Sequence, residues 1–216
     1  MQIQLQDVSA VIHGTSRYNG GLYDTVYVQT LLVTNEAIPM EETWYVPTGA
    51  SVPQEVMDFF RISGLDMSPK KASTILQGAE DIAQQSENEN LPGVMEDAAR
   101  YMLRAIMKKA PLIPISGATN TYLLSYDYKL YPLKDQPNHF EFNITVPFDG
   151  LELVAGRVQL SILTPINATI DPILTKGIAD DGQEIIEHVA PVGDVNRNVV
   201  SFGYQRDPKF TIHYHY

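Results

Sequence analysis

The spacing of hydrophobic residues changes twice along this chain, and that change limits the folds available to it. β-Branched and aromatic residues dominate residues 3–12 and 22–33, and Asn19-Gly20-Gly21 between them favours a turn, which together predict a β-hairpin. After residue 50 the spacing becomes helical, and after Pro114 it returns to strand-like alternation. This order predicts an α+β protein in which a helical segment interrupts a β-rich body.

Hydrophobic residues recur at three- and four-residue steps between residues 51 and 110. The pattern predicts a first helix over residues 52–62 that ends at Gly64, a second over residues 69–86, and a third that begins at Pro92. A short polar run separates the second helix from the third, so these two are expected to form an antiparallel αα-hairpin. We therefore assign this segment as a helical insertion.

Alternating hydrophobic residues in the C-terminal half predict short strands. These stretches cover residues 122–130, 140–148, 151–163, 184–189, 198–204 and 210–216. Asp149-Gly150 favours a hairpin between the second and third of them. We divide the chain into an N-terminal β-hairpin and connector (1–50), the helical insertion (51–110) and a β-rich part (111–216). The two β parts are expected to form one antiparallel β-sandwich or barrel-like body.

Composition excludes several classes of protein. The chain of 216 residues has no cysteine, which excludes zinc ribbons, iron–sulfur clusters and thiolate nucleophiles. Its 26 acidic and 15 basic residues give a net charge of −11, which disfavours nucleic acids and anionic membranes as partners. The start of the chain lacks the pattern of a secretory signal, and no apolar stretch approaches about 20 residues. We expect a cytoplasmic protein or one incorporated into an assembled particle.

Two histidines near the C-terminus form a candidate metal site. His213 and His215 are two residues apart on a predicted strand, so both imidazoles point to the same side and could bind one ion. The alternative is that Phe210, Ile212, Tyr214 and Tyr216 form the buried face of the strand and the histidines occupy the exposed face. No cofactor is otherwise indicated.

Two groups of side chains are candidates for a protein interface. They are the tyrosines Tyr122, Tyr126 and Tyr128 on one predicted strand, and the cations Arg100, Arg104 and Lys108 at four-residue steps along the third predicted helix. Tyrosine is also common in strands generally, and Glu96 lies one turn before Arg100, so local ion pairing is the alternative for the cations.

Three hypotheses on function remain. The chain has no Walker A loop, dinucleotide-binding glycine motif, GxSxG or HExxH, which favours a non-enzymatic structural or interaction protein. We expect it to be a component or accessory of a larger assembly, of phage or virion type, with other subunits or copies of itself as partners. The second hypothesis is a carbohydrate or small-molecule binding module that uses tyrosines and Trp44. The third is a metal-dependent enzyme that uses His213 and His215.

Overall fold

A computed structural model describes residues 1–63, 65–204 and 208–216, so the predicted helix end at Gly64 lies outside the described residues. Strands make up 43% of the chain and helices 16%, which confirms the β-rich α+β class.

The strands and helices have the following bounds. The strands are β1 (Ile3–His13), β2 (Asp24–Thr34), β3 (Thr43–Pro47), β4 (Lys70–Lys71), β5 (Met107–Pro111), β6 (Ile113–Pro114), β7 (Thr121–Leu130), β8 (His139–Thr145), β9 (Arg157–Leu163), β10 (Thr169–Ile170), β11 (Lys176–Ala179), β12 (Glu184–Ile185), β13 (His188–Pro191), β14 (Asn198–Tyr204) and β15 (Pro208–His215). The helices are α1 (Gln54–Ile62), α2 (Ile82–Glu87) and α3 (Leu91–Ala105), and short 3₁₀ turns cover Thr15–Tyr18 and Ala79–Asp81.

The largest sheet contains seven strands in the order β13-β14-β9-β1-β2-β7-β6. β1 and β2 pair as the predicted antiparallel hairpin, with a register shift between Ile3 and Leu5. β1 also pairs with β9 in parallel, so the sheet is mixed. The sequence predicts a purely antiparallel body, and this part of the prediction is wrong for the seven-stranded sheet. A parallel neighbour needs a long crossover, and most of the chain lies between these two strands. Strands from both flanking parts therefore share one sheet, while the predicted boundaries at residues 50 and 110 stay a prediction.

The second sheet is organised around β15. β8 pairs with β15 along its whole length, β10 and β11 share the opposite edge of β15, and β12 continues beyond β11. Inward side chains of this sheet, such as Phe142 and Ile212, share one hydrophobic core with Val8 and Leu160 of the seven-stranded sheet. Burial of such side chains is the main stabilising contribution to folding.

The predicted hairpin between residues 140–148 and 151–163 is wrong. β8 belongs to the second sheet and β9 to the seven-stranded sheet, so the chain crosses between sheets at the Asp149-Gly150 turn. Phe148 is buried on this crossover, and its backbone N–H donates to Oε1 of the fully buried Gln6. Both contacts favour the crossover over a hairpin.

The helical segment departs from prediction over residues 69–86. Lys70 and Lys71 form β4, which pairs with Trp44 and Tyr45 of β3, and β3 also pairs with β5. Turns then follow, and the α-helix is confined to α2, because pairing with β3 holds the start of this stretch extended. A second hydrophobic cluster lies within the segment and its neighbouring strands and contains Tyr45, Phe60, Ile75, Ala99, Leu103 and Met107.

A buried carboxylate connects the two larger sheets. Asp24, at the start of β2, is fully buried. One of its oxygens accepts a hydrogen bond from the backbone N–H of Ser16 at 3.0 Å. The other accepts the hydroxyls of Tyr214 and Tyr216, each at 2.7 Å. Three donors are needed here because a buried carboxylate without partners would be strongly destabilising.

Hydrogen bonds of Asp66 link the helical segment to β8. Its carboxylate accepts hydrogen bonds from the Thr145 hydroxyl and from the Ser68 backbone N–H, and Lys70 Nζ lies 3.3 Å away. Ser68 Oγ accepts a hydrogen bond from the Thr145 backbone N–H at 2.8 Å. Burial raises the pKa of Asp66, but the Lys70 ammonium and the hydrogen bonds from Thr145 and Ser68 outweigh it, so this pKa lies below its usual value.

We expect Asp24→Ala to lower the free energy of unfolding by about 3 kcal/mol, since two buried donors, from Ser16 and Tyr214, and the partly buried Tyr216 hydroxyl would lose their acceptor. Urea unfolding followed by circular dichroism measures the change. Asp194→Ala is the control, because Asp194 is exposed and its loss should cost less than about 0.5 kcal/mol. Equal effects of the two substitutions would contradict the role given to Asp24.

Asp66→Asn should change stability in a pH-dependent way. A carboxyl with a lowered folded pKa stabilises the fold above its unfolded pKa of about 4, and this contribution is lost as pH falls through the folded value. The difference in unfolding free energy between the parent and Asp66→Asn should therefore be largest near pH 6 and narrow below about pH 4.

Urea unfolding across this pH range measures the difference. Lys70→Met tests whether the Lys70 ammonium lowers the pKa of Asp66. Removing the ammonium should reduce the pH dependence that Asp66 contributes to stability. A difference that is constant across the range would contradict the account.

Candidate functional site

The candidate site lies on the face of the seven-stranded sheet that points away from the core. Along β1, Val8 and Ala10 point into the core, whereas Ser9 and Val11 point outward, as the two-residue period of a strand requires. We call the outward residues of three neighbouring rows across five adjacent strands the outer face. They are Asp7, Ser9, Val11, Tyr27, Gln29, Leu31, Leu123, Ser125, Asp127, Gln159, Ser161, Leu163, Val199 and Ser201.

A row of short uncharged side chains crosses the middle of the outer face. Ser201 pairs with Ser161, Ser161 with Ser9, Ser9 with Gln29, and Gln29 with Ser125. Gln29 Nε2 donates to Ser125 Oγ at 3.5 Å. The row is therefore low in profile and continuous across β14, β9, β1, β2 and β7.

An apolar row runs beside the serines. Val199, Leu163, Val11 and Tyr27 are direct neighbours on successive strands. Tyr27 is 52% exposed and meets the ring of His13 edge-on at 5.5 Å between centroids. A shallow depression of about 400 Å³ lies between this row and the serines. The surface thus offers a large aromatic ring beside small hydroxyls.

Charge is sparse on the outer face. Its charged members are Asp7 and Asp127, and Asp127 lies 3.7 Å from the ammonium of Lys108. Lys129 of β7 and Arg157 of β9 point outward on the same side, one row beyond the outer face. The chain as a whole has a net charge of −11. The Lys108 ammonium offsets the charge of Asp127, so a second acidic molecule would meet the unpaired part of the repulsion on this face at Asp7.

His213 and His215 lie side by side on β15, opposite Glu141 and His139 of β8. His213 Nε2 lies 3.4 Å from Glu141 Oε2, and the rings of His215 and His139 stack at 5.0 Å. The described ranges contain no group of three His, Asp or Glu side chains placed to hold a metal ion. The metal hypothesis stays a prediction. Phe210, Ile212 and Tyr214 form the buried face of β15, as the alternative states, whereas Tyr216 is only partly buried. The His213 side chain is 15% exposed, so it is not on a fully exposed face.

The three candidate tyrosines point toward the interior of the chain, not toward solvent. Tyr122 and Tyr126 are each 8% exposed, and the Tyr122 hydroxyl accepts a hydrogen bond from the Ile38 backbone N–H. Tyr126 and Tyr128 stack at 6.2 Å, and burial raises the pKa of both hydroxyls. In this structure they contribute to packing. The sequence did not distinguish the two positions, because alternating tyrosines are typical of an exposed strand face and of a buried one.

The three candidate cations have partners within the chain. Arg100 donates to Glu96 at 2.6 Å, the local ion pair that the sequence offered as the alternative. The Arg104 guanidinium lies 3.8 Å from the centroid of the Tyr45 ring. Lys108 donates to the Asp127 backbone carbonyl at 3.3 Å as well as facing its carboxylate. The predicted basic stripe is thus divided among separate intramolecular contacts.

Trp44 does not serve a ligand surface as the binding hypothesis proposed. It is fully buried in the core and packs against Phe148 with 6.0 Å between ring centroids. Asp149-Gly150 and Asp181-Gly182 both form turns, in which Gly150 and Gly182 have φ of 78° and 82°. Only glycine adopts such angles without strain.

Sequence reasoning missed the outer face. The outward positions Ser9 and Gln29 were visible in the alternation of the first hairpin. The row exists only once β1 is placed beside β9, which lies about 150 residues later in the chain. The composition of the outward strand positions was the one local signal in the sequence that could have indicated the outer face.

Comparison with known proteins gives no further guidance: no family model matches this chain, and no curated protein is significantly similar to it. Among the helices of the described residues, none has the length and apolar character needed to cross a membrane.

Tyr128→Phe should leave the tyrosine titration of the folded protein unchanged up to pH about 10.5, because burial raises the pKa of the Tyr128 hydroxyl. Absorbance at the tyrosinate band measures ionisation. In concentrated guanidinium the same variant should lose about one twelfth of the amplitude, since the chain has 12 tyrosines. A loss of amplitude in the folded state would show that Tyr128 is accessible.

Proposed function

We propose that this protein is a non-enzymatic structural or interaction protein that assembles with copies of itself through the outer face. In this proposal the two larger sheets act as the layers of a β-sandwich, and one layer leaves its outward side for a partner. The observation that carries the proposal is the apolar row Val199, Leu163, Val11 and Tyr27, which crosses four adjacent strands beside an uncharged row of serines.

Electrostatics support a contact at this face. Two copies of a chain with a net charge of −11 repel each other over most orientations. Like charges placed opposite each other in an interface cost several kcal/mol, so self-association favours the surface that carries fewest of them. The cores of protein interfaces are likewise depleted in charged residues and enriched in tyrosine, and Tyr27 occupies a half-exposed position here.

The size of the face sets the expected affinity. Five strands about 4.8 Å apart and three rows of outward side chains about 6.6 Å apart cover about 500 Å². Two copies would then bury about 1,000 Å² in total, the lower limit for a specific interface. An interface at this limit is typical of weak, transient complexes, so we expect the oligomer to depend on concentration. The phage or virion assembly expected from the sequence stays a prediction.

We expect the molar mass in solution to rise with protein concentration from that of one 24.1 kDa chain toward that of two. Gln29→Glu would place two carboxylates in a symmetric contact and should weaken association at least about tenfold. Light scattering coupled to size exclusion, run over a dilution series, measures both effects.

Gln77→Glu is the matched control, because Gln77 is an exposed glutamine outside the outer face and the substitution adds the same charge. Its association should equal that of the parent. A parent that is monomeric at every concentration, or a Gln29→Glu variant that behaves like Gln77→Glu, would contradict the proposal.

A further inference from the structure

A cleft separates the helical segment from the edges of β7 and β8. We call it the insertion cleft. Its larger lobe has a volume of about 150 Å³ and its smaller lobe about 100 Å³. Six residues line both lobes and join them into one space: Met57, Met67, Tyr128, Leu130, Glu141 and Asn143.

One wall of the insertion cleft is held by close backbone packing. Gly49 has φ of 75°, and a Cβ at this position would lie 2.6 Å from the Lys129 backbone nitrogen. Tyr131 donates its hydroxyl to the Gly49 backbone carbonyl at 3.2 Å. The segment that carries Gly49 is therefore fixed against β7, and the space beside it is preformed.

The opposite wall is soft and polarisable. Met57 of α1 and Met67 at the end of the α1 connection face Tyr128 and Leu130 across the cleft. Methionine side chains adapt to irregular ligands and make favourable contacts with aromatic rings. This wall favours a flat apolar group over a hydrated one.

The polar end of the cleft consists of Glu141 and Asn143. Thr211 donates its hydroxyl to Asn143 Oδ1 at 2.7 Å, and Asn143 Nδ2 donates to Glu141 Oε1 at 2.5 Å. His213 lies 3.4 Å from Glu141 Oε2. The carboxylate is thus oriented by neighbours on β8 and β15. Lys129, the cation of the larger lobe, extends its ammonium to the Tyr23 ring at 4.5 Å.

We propose that the insertion cleft binds a small aromatic or apolar compound that carries an ammonium group. A space of about 150 Å³ holds one benzene-sized ring. The methionine and tyrosine lining suits that ring, and the oriented Glu141 carboxylate suits a cationic head. The inference is independent of the proposed self-association, since none of the six shared residues belongs to the outer face.

Benzylamine is the probe that matches this chemistry, with benzyl alcohol and benzoate as neutral and anionic counterparts. A ligand of eight heavy atoms should bind with a dissociation constant on the order of 1 mM. Methyl spectra of the protein labelled at its seven methionines report the site. Benzylamine should shift the methyl signals of Met57 and Met67 and leave Met40, which is 97% exposed, unchanged.

Substitutions separate the contributions of shape and charge. Glu141→Gln should weaken benzylamine about fivefold and leave benzyl alcohol unaffected. Met67→Trp should fill the larger lobe and abolish the binding of both benzylamine and benzyl alcohol. Met40→Trp, the matched control, should bind both compounds as the parent does. The methyl shifts in the parent test the site even if Met67→Trp does not fold.

Three outcomes would overturn the inference. The first is that no methionine signal shifts at 10 mM benzylamine, about ten times the expected dissociation constant. The second is that benzoate binds more tightly than benzylamine, which would assign the site to cations such as Lys209 of the smaller lobe. The third is equal binding of benzylamine to the parent and to folded Met67→Trp.

Discussion

The buried carboxylate of Asp24 is the contact on which the arrangement of the two larger sheets depends. It lies at the start of β2 and accepts hydrogen bonds from Ser16, Tyr214 and Tyr216, so one charged group holds the seven-stranded sheet to the C-terminal strand of the other. Burying a charge is unfavourable unless all of its partners are in place. The geometry at Asp24 therefore requires β15 to lie on the inner side of the sheet, which leaves the outer side uncovered.

The two sides of the seven-stranded sheet consequently have different roles. Large side chains such as Leu160 fill the shared core on the inner side, while serines and half-exposed apolar residues form the outer side. The helical segment is linked through Asp66 to β8 and encloses a cleft against β7. It meets the margin of the outer face where Lys108 contacts Asp127. The two proposed binding surfaces share no lining residue.

Local patterns predicted the features that depend on local chemistry. The α+β class, the β1–β2 hairpin and the buried face of β15 follow from alternation and turn residues. Features that depend on distant pairing were not predictable. Lys70 and Lys71 lie in a helical pattern but pair with β3, and the serine row needs the register between β1 and β9. The inward position of Tyr126 was ambiguous, because a surface and a core face alternate in the same way.

A distance across the assembly tests the central claim that copies of this chain meet at the outer face. The chain has no cysteine, so Ser9→Cys introduces a single site for a spin label at the centre of the serine row. Sheets packed face to face lie about 10 Å apart, so the two labelled Cα atoms should be about 20 Å or less apart, and pulsed dipolar spectroscopy should find one short distance between the two nitroxides. Absence of dipolar coupling at concentrations where the protein is oligomeric would place the contact elsewhere and contradict the account.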